Sequence, residues 1–159
     1  MITIKAARKI DTLIGPLRRF SNCVLSPLLD LGIRVFAANI FFWSGKSKFE
    51  NYLNNDWDST LYLFREAHVV PFLPVEVAAV LGTATELILP VLLVLGLFTR
   101  AAALGLLLTT ILIQFFVADE FGDGLSNPDH YLWMLLLAVP LIKGPGKLSL
   151  DALILKWIR

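Results

Sequence analysis

Ionisable side chains stand inside two of the most apolar stretches of the chain, and they are its strongest sign of chemistry. Asp30 and Arg34 lie one helical turn apart in the first stretch (26–45), and Glu86 lies in the second (74–97). A charge at the centre of a membrane helix costs about 2.5–3.5 kcal/mol on insertion scales, so it is retained where it has a partner or a function. We expect Arg34 and Glu86 to meet at similar depth, with Asp30 as a second acceptor. Gln114 lies one turn below the outer end of a third stretch and completes the predicted intramembrane polar pocket.

This pocket has two interpretations. An ion pair between neighbouring helices can serve only to fix their register. Alternatively, the same groups can hold a polar head group or carry protons.

A second set of candidates is predicted at the outer mouth, that is, at the periplasmic ends of the helices. These residues lie in and around the connection (46–72) that follows the first stretch. Its aromatic rings can stack on a ligand or anchor the chain at the interface. Its two histidines and several carboxylates match no compact metal-binding spacing, so no metal site is predicted. The members of this set are Trp43, Lys46, Lys48, Trp57, Asp58, Phe64, Glu66, His68, Glu76 and His130.

The elements that must position these residues are membrane helices. Apolar residues make up 57% of the chain and charged residues 17%, where a soluble domain carries about 25%. Between residues 74 and 117 the ionisable side chains are Glu76, Glu86 and Arg100 alone. The net charge of +1, without a basic groove, argues against nucleic acid as a partner and leaves membrane lipid. The single Cys23 excludes an intrachain disulfide and a CxxC redox centre.

We therefore predict an all-α integral membrane protein, a four-transmembrane-helix bundle with amphipathic N- and C-terminal segments in a single domain (1–159). No cleavable signal peptide is expected. A helix over 59–69, capped by Asp58 or Ser59, is expected in the outer loop, and Ser149 is the expected N-cap of the last helix. The predicted segments are an arm at the cytoplasmic interface (1–24), spans at 26–45, 74–97, 100–117 and 128–142, a periplasmic loop (46–72) and an interfacial helix (149–159).

Loop charge predicts the orientation. Lys and Arg are concentrated in the two termini and in the turn at Arg100. The loop between the third and fourth spans contains Asp119, Glu120, Asp123 and Asp129 and no basic residue. The positive-inside rule therefore places both termini in the cytoplasm, as an even number of spans requires.

Three ordered stretches of the sequence resemble the DoxX family of small four-helix membrane proteins. They are RVFAANIFFWSGKSKF, DWDSTLYLF and VPFLPVEVAAVLGTATELILPVLLVLGLFTRAAALGLL, and the resemblance covers about residues 31–155. Its most specific parts are the expected turn at 45–49, the Glu86-Leu87 pair and the segment 96–100. The resemblance implies a bundle in the bacterial inner membrane. Some members of the family are described as small subunits of a thiosulfate:quinone oxidoreductase, and others as partners in redox-stress complexes.

The family has no generally accepted catalytic residues, so the resemblance carries over the positions of Arg34, Lys46, Lys48 and Glu86 without a mechanism. No flavin, haem or iron–sulfur motif is visible in the chain. The cofactor is unknown, with a quinone as the candidate.

The leading functional hypothesis is a membrane redox accessory subunit that binds a quinone or similar lipid-soluble molecule and exchanges electrons with a partner protein. Trp43, Trp57 and Phe64 would stack on the ring, while Glu86 and Arg34 would supply a proton acceptor and a positive field. The first alternative is a non-catalytic scaffold for a stress-response or metal-handling partner. The second is a transporter of small solutes or metal ions, which would require the chain to form a homo-oligomer.

Overall fold

The computed structural model describes residues 12–66, 68, 70, 73–117 and 128–158, and over these residues the protein is helical without strands. The predicted all-α fold is therefore confirmed for this part of the chain. The terminal arm before residue 12 and the acidic residues Asp119, Glu120 and Asp123 lie outside it. The helices are α1 (Thr12–Leu53), α2 (Trp57–Glu66), α3 (Val75–Leu95), α4 (Thr99–Leu112), α5 (Pro128–Lys143) and α6 (Leu150–Ile158). A π turn (Ser21–Leu25) interrupts α1, and another (Ile113–Val117) extends α4.

Helices α1, α3, α4 and α5 pack in a ring around one core, each against the next. Neighbours are antiparallel: Gly45 of α1 lies against Glu86 of α3, whereas Arg34 reaches the other end of α3 at Leu93. Small residues at the centre allow the backbones to approach closely, as is common between helices in lipid. The buried core consists of Ala37, Ala38, Phe41, Leu93, Ala102, Ala103, Leu106 and Leu137.

The outer surface of this ring is also apolar. Large hydrophobic side chains are exposed on every helix of the ring, for example Phe36, Ile88, Leu104 and Leu135. Two helices, Thr12–Leu53 and Val75–Leu95, are long and apolar enough to cross a membrane. A soluble monomer seldom exposes so many large apolar side chains, whereas a surface in contact with lipid requires them.

The turn between α3 and α4 is tight because Gly96 adopts a left-handed conformation (φ +67°) that ends α3. A Cβ at Gly96 would collide with Ser149 of the C-terminal segment, which folds back under this turn. Asp151 then caps α4, its carboxylate accepting hydrogen bonds from the backbone N–H groups of Phe98 (2.9 Å) and Thr99 (3.0 Å). The predicted N-cap of the last helix is confirmed, because the Ser149 hydroxyl accepts a bond from the N–H of Ala152 (3.1 Å).

Two expected boundaries are wrong. The first apolar helix does not end at Gly45 but continues to Leu53, so the stretch expected to form a turn is helical. Gly45 serves close packing instead, since a Cβ there would lie 2.8 Å from Glu86 Cβ. The short helix α2 begins at Trp57, so neither Asp58 nor Ser59 is its N-cap.

Helices occupy most of 74–97, 100–117 and 128–142, the stretches predicted as the second, third and fourth spans. That all of them cross a membrane stays a prediction.

Candidate functional site

A cavity of about 180 Å³ lies between α2, α3 and α4, next to the connection that leads from α2 to α3. Leu73, Leu81 and Leu112 line it and are themselves exposed on the outside of the bundle, so the cavity opens sideways, toward lipid, as well as inward. Its polar wall consists of His68, Thr85, Glu86 and Thr109, and its apolar wall includes Phe64 and Ala78. This combination of a mostly apolar surface and a few converging polar groups is typical of small-molecule sites.

The Glu86 carboxylate at the base of the cavity belongs to a buried ion pair. Lys48 Nζ lies 2.6 Å from Glu86 Oε2, and each side chain is 7% exposed. Lys48 also donates a hydrogen bond to the Ser44 hydroxyl (2.8 Å). The pair exists because α1 continues past Gly45, which carries Lys48 into the space beside α3. Each of these two buried charges has the other as its counter-ion, so losing either one leaves the other without an opposite charge.

His68 contributes a neutral imidazole to the same wall. Burial, assisted by the positive charge of Lys48, lowers the pKa of His68 to about 4, so the ring is uncharged at neutral pH. Its Nδ1 atom is buried and has no hydrogen-bond partner within the part of the chain that the structure describes. The ring packs against Phe64, with 5.4 Å between the ring centroids. A neutral imidazole offers one donor and one acceptor, so Nδ1 is available to a ligand or a water molecule.

The predicted contact between Arg34 and Glu86 is wrong. Arg34 instead donates hydrogen bonds to the backbone carbonyls of Leu93 (3.2 Å), Val94 (3.3 Å) and Leu148. At 1.5 Å per residue, Leu93 lies about 10 Å further along α3 than Glu86. The prediction ended α1 at Gly45 and placed that residue level with the start of α3. In the structure α1 is longer and Gly45 lies level with Glu86, so the register of the two helices differs from the expected one. Arg34 therefore satisfies the last carbonyls of α3, where the helix dipole favours a cation.

The other two members of the predicted intramembrane pocket are also elsewhere. Asp30 pairs with Lys143 (2.6 Å), at the end of the bundle that holds the α3–α4 turn, not with Arg34. Gln114 lies in the π turn that extends α4, and its Oε1 is 2.7 Å from Nδ1 of His130 on α5. That buried pair packs against Trp133 and forms a polar cluster of its own.

The remaining outer-mouth candidates do not line the cavity, although Trp57 packs against the buried cluster of Phe64, Ala78 and Ala79. Lys46 lies over the Trp43 ring, 4.4 Å from its centroid, and Trp57 meets Tyr52 edge to face at 5.8 Å. Asp58, Glu66 and Glu76 are exposed, and no three His, Cys, Asp or Glu side chains of the described ranges are grouped as metal ligands. Of the outer-mouth set, the structure brings Lys48, Phe64 and His68 together around Glu86.

Sequence reasoning missed Ser44, Thr85 and Thr109. Ser44 lies one turn before Lys48, and Thr85 adjoins Glu86, so both could have been found by examining hydroxyl residues next to the buried charges. Thr109 had no such neighbour in the sequence. Its hydroxyl bonds to the carbonyl of Gly105 (3.1 Å), and only the packing of α4 against α3 brings it to the cavity.

A model of the DoxX family matches residues 29–119, a segment that includes most of α1, all of α2 to α4, and Lys48, His68 and Glu86. The chain belongs to the DoxX family. DoxX is a family of membrane proteins, so the predicted membrane class and family are both confirmed, and contact with lipid follows.

One relative of this DoxX protein is an uncharacterized protein of Haemophilus influenzae. It is 29% identical over 129 residues, which cover 78% of this chain and 82% of the relative. No solved structure matches the chain.

Proposed function

We propose that this DoxX protein is a membrane redox accessory that binds the ring of a quinone, or of a similar lipid-soluble molecule, in the cavity between α2, α3 and α4. The observation that carries the proposal is the convergence of a buried Lys48–Glu86 pair and a neutral His68 on a largely apolar cavity with a lateral opening. An apolar cavity of about 150 Å³ holds benzene. A volume of about 180 Å³ therefore suits one substituted ring, with an isoprenoid tail leaving between the rim leucines toward lipid.

The polar wall matches the needs of such a ring. Oxidation of a quinol to a quinone releases two electrons and two protons, and hydrocarbon supplies no groups that accept protons. His68 Nδ1 can bond to an oxygen of the ring, and Phe64 beside it offers an aromatic face. Glu86, linked to Lys48, is the proposed proton acceptor. The electrons are exchanged with a partner protein in this proposal, since the sequence has no motif for a resident redox cofactor.

We further propose that α1, α3, α4 and α5 all cross the bacterial inner membrane, with both termini in the cytoplasm. Exposed basic residues support this orientation, because Arg19, Arg100, Lys143 and Lys147 all lie at the end of the ring that holds the α3–α4 turn and α6.

The same orientation places α6 on the inner leaflet as an amphipathic helix. Its apolar residues are exposed, with Trp157 91% accessible. Lys156 is then available to anionic lipid head groups.

The proposal is tested by organic extraction and mass spectrometry of the protein purified in mild detergent. Wild type is compared with Glu86→Gln and with Glu50→Gln, a chemically identical change in an exposed pair with Lys46. We expect a stoichiometric quinone in wild type and in Glu50→Gln, and its loss from a folded Glu86→Gln protein. Bulk phospholipid alone in all three samples would reject the quinone site and favour a non-catalytic scaffold.

A further inference from the structure

A polar amide lies on the outer, otherwise apolar surface of the bundle. Asn39 on α1 is exposed, and its neighbours Val35, Phe36 and Phe42 are exposed apolar side chains. At 1.5 Å per residue, Asn39 lies about 10 Å along the helix from Lys46, well inside the apolar part of α1. An amide at this place faces hydrocarbon in the proposed membrane arrangement.

Both hydrogen-bond donors of this amide are unused. Asn39 Oδ1 accepts a bond from the indole N–H of Trp43 (3.0 Å). The NH₂ group donates to no acceptor among the residues that the structure describes. Lipid contains no water to satisfy these donors, so leaving them bare is costly and a protein acceptor is favoured.

A groove runs beside the amide. Val35, Asn39 and Phe42 form its α1 wall, Pro90 and Val94 of α3 form the other, and its volume is about 280 Å³. The α1 residues follow an i, i+4, i+7 pattern, which is the spacing of a helix–helix seam. Val35, Asn39 and Phe42 are also exposed, so they form a ridge on α1 (the α1 ridge) that lies on the same face of the molecule as the groove.

We propose that a second copy of this chain occupies the groove, in a symmetric dimer whose two-fold axis runs along the membrane normal. One two-fold rotation places each α1 ridge against the groove of the other copy and brings the two Asn39 amides together. An amide is self-complementary: each NH₂ group can donate to the other Oδ1, which has a second lone pair besides the one used by Trp43. A lipid acyl chain could fill the groove but would leave the NH₂ groups unsatisfied. The proposal is independent of ligand binding in the cavity.

Disulfide cross-linking in native membranes tests the dimer. In a Cys23→Ser background, Val35→Cys adds a thiol at the predicted seam without altering the amide. Leu108→Cys, exposed on the diagonally opposite helix α4, is the matched control for random collision. We expect a disulfide-linked dimer for Val35→Cys and a cross-linked fraction at the collision level for Leu108→Cys. Equal cross-linking at the two positions, or linkage of Val35→Cys to a different protein, would overturn the proposal.

A second measurement isolates the role of the amide. Asn39→Leu removes both donors but preserves the apolar surface, and its effect is measured as monomer–dimer equilibrium by energy transfer in lipid vesicles. Removal of interhelical hydrogen bonds in lipid should lower the association constant about 3- to 30-fold. An unchanged association constant would show that Asn39 does not hold the interface. In the wild type, excess unlabelled protein added at a constant density of labelled protein should lower the energy transfer by replacing labelled partners. Energy transfer that stays the same would show that no specific dimer exists.

Discussion

Removing one partner of the Lys48–Glu86 pair should destabilise the bundle far more than removing both. The two charges are 2.6 Å apart and each side chain is 7% exposed, so the survivor of a single substitution is largely shielded from water. A buried charge left unpaired in this way costs about 3–5 kcal/mol. Lys48→Met and Glu86→Leu should therefore each lower the free energy of unfolding by about that amount.

The double variant tests whether Lys48 and Glu86 form a buried ion pair with each other. Apolar residues of similar volume replace a buried ion pair with little loss, and in some proteins with a gain of about 1–4 kcal/mol. The variant Lys48→Met with Glu86→Leu should therefore recover most of the stability that each single substitution loses. The two effects are strongly non-additive because the side chains are in direct contact.

The assay is a denaturant titration in mixed micelles, followed by circular dichroism, with the four proteins compared at one detergent composition. The exposed pair Lys46–Glu50 provides a matched control, because its side chains are 42% and 55% exposed at a separation of 3.5 Å. Lys46→Met and Glu50→Leu should each change stability by about 0–1 kcal/mol. The reasoning is refuted if the Lys48/Glu86 double variant is as unstable as the worse single variant.

Three further predictions follow from single contacts. Gly45→Ala should lower the free energy of unfolding by about 1–3 kcal/mol, because its Cβ would press on Glu86; Gly32→Ala, with open space at its Cβ, is the control in the same titration. The pKa of His68 is lowered from 6.5 to about 4, so the unfolded chain binds more protons between these values and wild-type stability should rise with pH across that window. Melting temperatures from pH 4 to 7 should show a shallower rise for His68→Phe, and an identical slope would contradict the assignment. Asp151→Ala removes the cap of α4 and should cost about 0.5–2 kcal/mol, measured by thermal unfolding; no loss would mean that water replaces the carboxylate.

Local signals in the sequence were sufficient to show that the main helices exist and in what order they occur, but not to fix where each one ends. Long apolar runs punctuated by Gly96 and Pro74 predict where helices lie, because backbone groups without water must bond within a helix. Ser149 at the N-cap of α6 is a local signal of the same kind, since the capping hydrogen bond joins residues three apart in the sequence. The functional candidates Phe64, His68 and Glu86 were also visible, because charged and aromatic side chains are conspicuous in so apolar a chain, whereas Lys48 was pointed out by the family resemblance.

The partners of those residues were decided only by tertiary packing. A glycine permits either a turn or a close approach of two helices, and the sequence around Gly45 does not distinguish these uses. The structure shows close approach, so α1 runs on to Leu53 and its register against α3 differs from the expected one. That difference assigns Glu86 to Lys48 and moves Arg34 to the carbonyls at the end of α3, about 10 Å away. Residue types and local order are properties of the chain itself, whereas ion pairing across a bundle depends on how far each helix continues before it ends.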